Sequence, residues 1–226
     1  MTVCTPLLLA ALIGAAAVPV KVFEEEFDRY PEHSPVFHED SHIEEGLGRK
    51  SMDFHPKKRA DLRKTPFAVT GDPVNFDLTF KFFFGKDSAR SFSIPLYFKN
   101  PEKPDAKPYV TEVTFHEQGA RLRSFSSYPP PAGWERWDLG PLPEFLNRRY
   151  SQARISVRSG YAEVWVERSG KWYLEARGQL TAPGMILTGF NVNGTTQVRL
   201  EQFRVWKSAT SGVSSDTLVM IECRFF

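Results

Sequence analysis

The chain has 226 residues, enough for one domain with a substantial core, and its 29 Lys and Arg stand against 27 Asp and Glu, a net charge of +2 with both signs interspersed. That balance supplies no electrostatic basis for nucleic-acid binding or for a polybasic membrane patch. Nineteen Phe, seven Tyr and five Trp, with 17 Pro and 15 Gly to make turns, favour β structure.

The opening MTVCTPLLLAALIGAAAVPVKVFEEEF has the form of a secretory signal over residues 1–17. Leu7 to Ala17 is apolar and too short to span a bilayer, and Ala15 and Ala17 offer the small residues of a cleavage site, although no Lys or Arg precedes the run. The alternative is a buried N-terminal helix. Cleavage after Ala17 would leave Cys223 as the only cysteine, so no intramolecular disulfide is expected. No later apolar segment reaches spanning length, so the mature chain is expected to have no membrane span.

From Asp28 to about Pro66 the chain is polar, and it reads as an irregular arm or insertion with at most a short helix. The arm contains HEDSH, residues 38–42, the H-E-x-x-H pattern in which two histidines four apart on a helix bind Zn²⁺ and the glutamate acts as general base. Ser34 and Pro35 allow a short helix to start, but Gly46 and Gly48 end it. Glu45 stands where the extended pattern has glycine, and Gly48 where it has a third histidine. His38, Glu39 and His42 are therefore read as a chance match, and no metal site is expected from them. His33 and His55 would complete a metal site of another kind only if folding happened to bring them in.

After Thr65 period-two runs begin, bounded by turn residues. NFDLTFKFFFG places Phe76, Leu78, Phe80, Phe82 and Phe84 on one face. SFSIPLYF groups Phe92, Ile94, Leu96 and Phe98, with Pro95 pointing to an edge or a bulge. YVTEVTFHE sets Thr111, Val113 and Phe115 against Glu112, Thr114 and His116, and ARLRSFSSY is a further strand. The loop YPPPAGWERWDLGPLP and a short helical turn at PEFLNRRY follow. ARISVRSGYAEVWVERSGKWYLEARGQL reads as three antiparallel strands joined by Ser-Gly turns at 159–160 and 169–170, and two more strands are expected around Asn193-Gly194. The result is an all-β antiparallel sandwich or barrel.

An extended first strand (VKVFEEEFD), the hairpin ISVRSGYAEVWVE and a closing VRLEQFRVW resemble the concanavalin A-like lectin/glucanase jelly rolls. That resemblance covers roughly residues 20–207 and implies a β-sandwich with neighbouring first and last strands and a glycan-binding sheet. The expected domain is 18–207, followed by a linker and tail at 208–226.

Alternation puts Ala162, Val164 and Val166 inward and leaves Tyr161, Glu163, Trp165 and Glu167 on the opposite face. Ile155 and Val157 go inward, with Arg154, Ser156 and Arg158 outside. Trp172, Leu174 and Ala176 are expected in the core, with Tyr173, Glu175 and Arg177 outside. Tyr97, Glu112, Thr114, His116, Arg121 and Arg123 are likewise outward. Aromatic rings stack on the C–H face of a pyranose while carboxylates and guanidinium groups bind its hydroxyls. Tyr161, Glu163, Trp165, Arg123 and Tyr97 are thus candidate ligand residues, with Trp134 and Trp137 as a rim clamp. The plain alternative is a solvent-facing sheet decorated with charged pairs.

Catalysis is harder to place. Glycosidases need two carboxyl groups about 5–9.5 Å apart, whereas Glu163 and Glu167 stand roughly 13 Å apart along one strand. Glu24 and Glu26 have a closer spacing but lie on the terminal strand. The least improbable acid/base groups are Glu163, Glu112 and His116, with Glu163 paired across strands to Glu112 or Glu175. The first expectation is a secreted or periplasmic domain binding a polysaccharide or oligosaccharide. The alternatives are a glycoside hydrolase or lyase on the same fold, and an envelope or adhesion protein with a protein partner. No cofactor is expected, and a structural Ca²⁺ stays open.

Overall fold

The computed structural model describes residues 18–46, 48–85, 91–116, 119–124 and 150–208. The leader, the Pro-rich loop with its expected helical turn, and the tail after Ser208 lie outside them. The strands are β1 (Val20–Glu25), β2 (Ser41–Gly46), β3 (Arg49–Phe54), β4 (Ala60–Asp61), β5 (Phe67–Ala68), β6 (Phe76–Phe84), β7 (Ser91–Lys99), β8 (Tyr109–His116), β9 (Gly119–Ser124), β10 (Ser151–Arg158), β11 (Tyr161–Arg168), β12 (Lys171–Gln179), β13 (Ile186–Phe190), β14 (Asn193–Gly194) and β15 (Val198–Lys207).

They form two antiparallel sheets, a β-sandwich of the jelly-roll kind. The eight-stranded sheet runs β12-β11-β10-β6-β15-β3-β2, with β1 on the second half of β15's free edge. The first and last strands are therefore paired, as the resemblance implied. In the seven-stranded sheet β7 carries β8 and then β9 on one side, and on the other β13 followed by β14, which continue to β5 and β4.

Alternation fixes the core. Phe76, Leu78, Phe80, Phe82 and Phe84 on β6 are all buried, as are Phe92, Ile94, Leu96 and Phe98 on β7. Phe80 stacks on Phe203 at 5.1 Å and meets Phe115 edge-on at 5.4 Å, while Phe92 stacks on Phe115 at 5.1 Å. Each such side chain contributes on the order of 1.5–3 kcal/mol by leaving water. The Ser-Gly turns form as expected, with φ of 50° and 79° at Ser159-Gly160 and 52° and 81° at Ser169-Gly170. Two left-handed residues in succession match the twist of the strands they join.

Four expectations change. The arm at 28–66 is irregular over much of its length, but in place of a helix it contains the hairpin β2–β3, which buries Ile43, Met52 and Phe54. Pro95 does not mark an edge, because β7 is an interior strand. Its carbonyl accepts from Asn191 N–H at 3.0 Å, so its missing donor faces the break between β13 and β14. Asn193-Gly194 is not a hairpin turn. It pairs with both β7 and β4 while the chain crosses to β15 in the other sheet. Finally, a bulge between Val164 and Trp165 brings Trp165 opposite Leu174 and Glu167 opposite Trp172. The one-residue slip reverses the faces before Ala176. Trp172 is exposed and Glu175 buried, the reverse of the expected pattern.

Candidate functional site

A cleft of about 420 Å³ lies on the outer face of the seven-stranded sheet, lined by Arg59 just before β4 and by residues of β14, β7, β8 and β9 and their neighbours. Register aligns one row of side chains across it, Asn193 with Ser93, Ser93 with Thr114, and Thr114 with Arg121, and Asp61, paired with Asn193, continues the row beside the cleft. Each is the outward residue of its strand, because its neighbours Phe92, Ile94, Val113 and Phe115 fill the core.

Glu112, beside this row, is only 4% exposed. A carboxylate so placed must be compensated. Arg59 donates to its Oε2 at 3.2 Å and Thr114 Oγ1 donates to its Oε1 at 3.1 Å. Ser93 Oγ donates to the Asn193 carbonyl at 3.2 Å, whereas Asn193 Oδ1 is buried without a hydrogen-bond partner among the described residues. The Asp61 carboxyl is pushed up from its ordinary range, chiefly by partial burial; Glu112 adds to the rise while Arg59 and His38 oppose it. Burial likewise pushes up the Tyr97 phenol, with Asp61 and Glu112 adding to the effect. The cleft thus holds fixed acceptors, fixed donors and the Glu112 carboxylate, with Asp61 beside it, a set suited to binding hydroxyl-rich ligands.

The second cluster occupies the outer face of the eight-stranded sheet. Arg154 on β10 lies over both Trp165 on β11, at 5.7 Å, and Trp172 on β12, at 5.2 Å. Trp165 Nε1 donates to Glu163 Oε2 at 3.1 Å. Trp172 is 39% exposed, so the stack is an open platform with the Arg154 guanidinium over both indoles.

The structure therefore splits the residues proposed from sequence. Tyr97, Glu112 and His116 go with the cleft side, and Tyr161, Glu163 and Trp165 with the opposite side. A core about 10 Å thick lies between them. Glu163 and Glu112 cannot form the cross-strand pair considered above, nor can Glu163 act with His116. Glu163 pairs instead with Ser156 and Arg177, and Glu175 is buried towards Gly119 of the other sheet. Trp134, Trp137 and the side chain of Arg123 lie outside the described residues. Glu24 and Glu26 both bind Arg204 and hold β1 to β15.

HEDSH is not helical. His38 sits in a loop, where its Nδ1 accepts from Asp40 N–H at 3.2 Å, and His42 is in β2 opposite Asp53. The two histidines join different side-chain groups, His38 with Glu39 and Asp40, and His42 with Glu44 and Asp53.

Sequence reasoning missed Arg59, Asp61, Asn193 and Trp172. The first three lie in or beside strands of two residues, too short for alternation to register. Counting outward from the Ser169-Gly170 turn, which pairs Lys171 with Arg168, would have placed Trp172 opposite Glu167.

No protein-family model matches the sequence, and no curated protein matches it. Solved structures overlap most of this chain at low identity. Domain 4 of an extracellular GH43 arabinanase from Geobacillus stearothermophilus, in complex with arabinotriose, is 11% identical, with 84% of this chain and 93% of that one covered at a TM-score of 0.48. An alginate lyase from Chlorella virus is 14% identical over 74% and 88% of the two chains, TM-score 0.44. Galectin LEC-6 from Caenorhabditis elegans is 15% identical over 66% and 96%, TM-score 0.38. No helix among the described residues is long and apolar enough to cross a membrane. The chain's own two antiparallel sheets form a jelly-roll sandwich.

Proposed function

We propose that the chain is a secreted carbohydrate-binding domain whose glycan lies in the cleft across β4, β14, β7, β8 and β9. The carrying observation is the row Asp61, Asn193, Ser93, Thr114 and Arg121, backed by the buried Glu112–Arg59 pair. A sugar presents hydroxyls that both donate and accept, and this row offers both kinds of group at fixed positions. Asn193 Oδ1 in particular needs a donor. The Trp165–Arg154–Trp172 platform supports a second contact surface on the other sheet, the face singled out from the sequence.

The test is co-sedimentation with insoluble and gelled polysaccharides, with analysis of the supernatant for released sugar. Binding is expected to fall about tenfold or more in Glu112→Gln and Arg121→Ala, since a hydrogen bond to a charged group contributes roughly 1.5–3 kcal/mol. Wild-type binding by both variants, with loss in Trp165→Ala or Trp172→Ala, would move the site to the platform. No depletion across a broad panel would count against a glycan ligand and favour a protein partner.

A second reading, a glycan-cleaving enzyme, is favoured by one observation: Asp61, beside the cleft, interacts with Glu112 in it, and the Asp61 carboxyl is raised. Released oligosaccharides, abolished in Asp61→Asn, would decide for it.

A further inference from the structure

We propose that His42, His55 and Asp53 bind a divalent transition-metal ion of the Zn²⁺ class at the outer face of the β2–β3 hairpin, a site unrelated to the H-E-x-x-H reading. The chain has five histidines. Three of them converge here: the His42 and His55 rings lie 5.8 Å apart and within 20° of parallel, and the His33 ring lies 6.2 Å from that of His42. Two imidazoles on one tetrahedral ion place their ring centres on the order of 5 Å apart, given Zn–N bonds of about 2.0–2.1 Å.

Asp53 supplies the second, independent observation. It is the cross-strand partner of His42 and is 3% exposed. Its Oδ2 accepts from Arg199 at 3.0 Å, and its buried Oδ1 lies 2.8 Å from His55 Nε2. That nitrogen also lies 3.0 Å from the Gln197 side-chain nitrogen, a donor. His55 Nε2 has a single lone pair, so a metal bound there would take the place of the Gln197 contact and of any proton shared with Asp53. Ligand atoms each about 2 Å from one ion stand roughly 3 Å apart, which Asp53 Oδ1 and His55 Nε2 already do.

The remaining groups fit that role. Ligand atoms of His42, Glu44 and Asp53 lie within 4.8 Å of one another. Glu44 and Asp53 carry two negative charges against the single guanidinium of Arg199, and neutral imidazoles add none, so the cluster has negative charge to spare. Arg199 holds one carboxylate oxygen and aims the other, as outer-shell partners of metal ligands do. Glu44 or His33 is placed to complete the coordination. Imidazole ligands favour zinc, copper or nickel over calcium and magnesium. Bound metal would tie the hairpin at the edge of the sheet to the segment around His55.

The test is isothermal titration of untagged, chelator-stripped full-length protein with ZnCl₂, together with thermal melts at rising Zn²⁺. One equivalent is expected to bind saturably and to raise Tm with concentration. His42→Ala and His55→Ala should each weaken binding at least tenfold. His38→Ala should not change it, and CaCl₂ should produce no shift. Because both histidines are partly exposed, the variants should melt like the parent without metal. Absence of saturable Zn²⁺ uptake overturns the proposal. So does uptake unchanged in both variants, or uptake lost equally in His38→Ala.

Discussion

Two carboxyl groups in this protein carry opposite pH signatures, and each follows from what touches it. Asp61 sits above its ordinary value of 3.8, mainly through partial burial. The native state therefore holds the Asp61 proton where the unfolded chain has released it. The resulting stabilisation is complete below pH 3.8 and is lost as pH rises through the higher native value. Asp61→Asn should consequently gain stability relative to the parent as pH rises from 3 to 7. Urea midpoints across that range, with a carboxyl NMR titration of Asp61, test this; a parallel offset at every pH would sink it. Glu24 behaves the other way, lowered by hydrogen bonds from Lys21 and Arg204. Its contribution is present above its usual 4.5 and disappears as pH falls through the depressed native value. Alternation alone placed Glu112, Thr114 and His116 outward. It had no means of showing that Arg59, more than fifty residues upstream, closes on Glu112, because that contact depends on the order of strands rather than on local pattern.

At the scale of elements, the two Ser-Gly turns differ in their surroundings although their backbones are alike. A Cβ on Gly160 would stand 2.4 Å from the Thr181 carbonyl oxygen and 2.8 Å from that of Ala182, whereas one on Gly170 would meet nothing within 4 Å. Both positions have φ near 80°, so alanine costs about 1–2 kcal/mol at either for the left-handed backbone alone. Gly160→Ala should cost clearly more than Gly170→Ala, since backbone atoms cannot step aside as a flexible side chain can. Equal denaturation midpoints for the two variants would show that the 180–182 segment yields freely. These turns were legible because the strands on either side pair with each other. Asn193-Gly194 misled for the complementary reason: β13 and β15 belong to different sheets, so the same dipeptide became part of a strand. The bulge opposite Val164 left no trace in composition, with neither Gly nor Pro at Leu174 or Glu175, and it inverted the faces of Trp172 and Glu175.

For the molecule as a whole, a sandwich separates what holds it together from what it offers to a ligand. The all-β class and the identity of the core could be read from alternating phenylalanines, since burial on one face of a strand is a local property of its sequence. Which outer face a residue reaches is not local, and for that reason Glu163 and Glu112 were grouped before the sheets were known. The separation has a measurable consequence. Phe80 contacts Phe82, Phe92, Phe115 and Phe203 at ring distances of 5.1–6.1 Å, joining β6 and β15 to β7 and β8 across the sandwich. Phe80→Ala removes that junction and should cost about 3–5 kcal/mol, a large part of the roughly 5–15 kcal/mol typical of a domain. Trp172→Ala, on the open platform, should change stability by only about 0.5 kcal/mol or less. If urea denaturation instead finds Trp172→Ala as damaging as Phe80→Ala, the platform is part of the structural core. Its indoles would then be packing groups covered in the working protein rather than a surface held ready for a ligand.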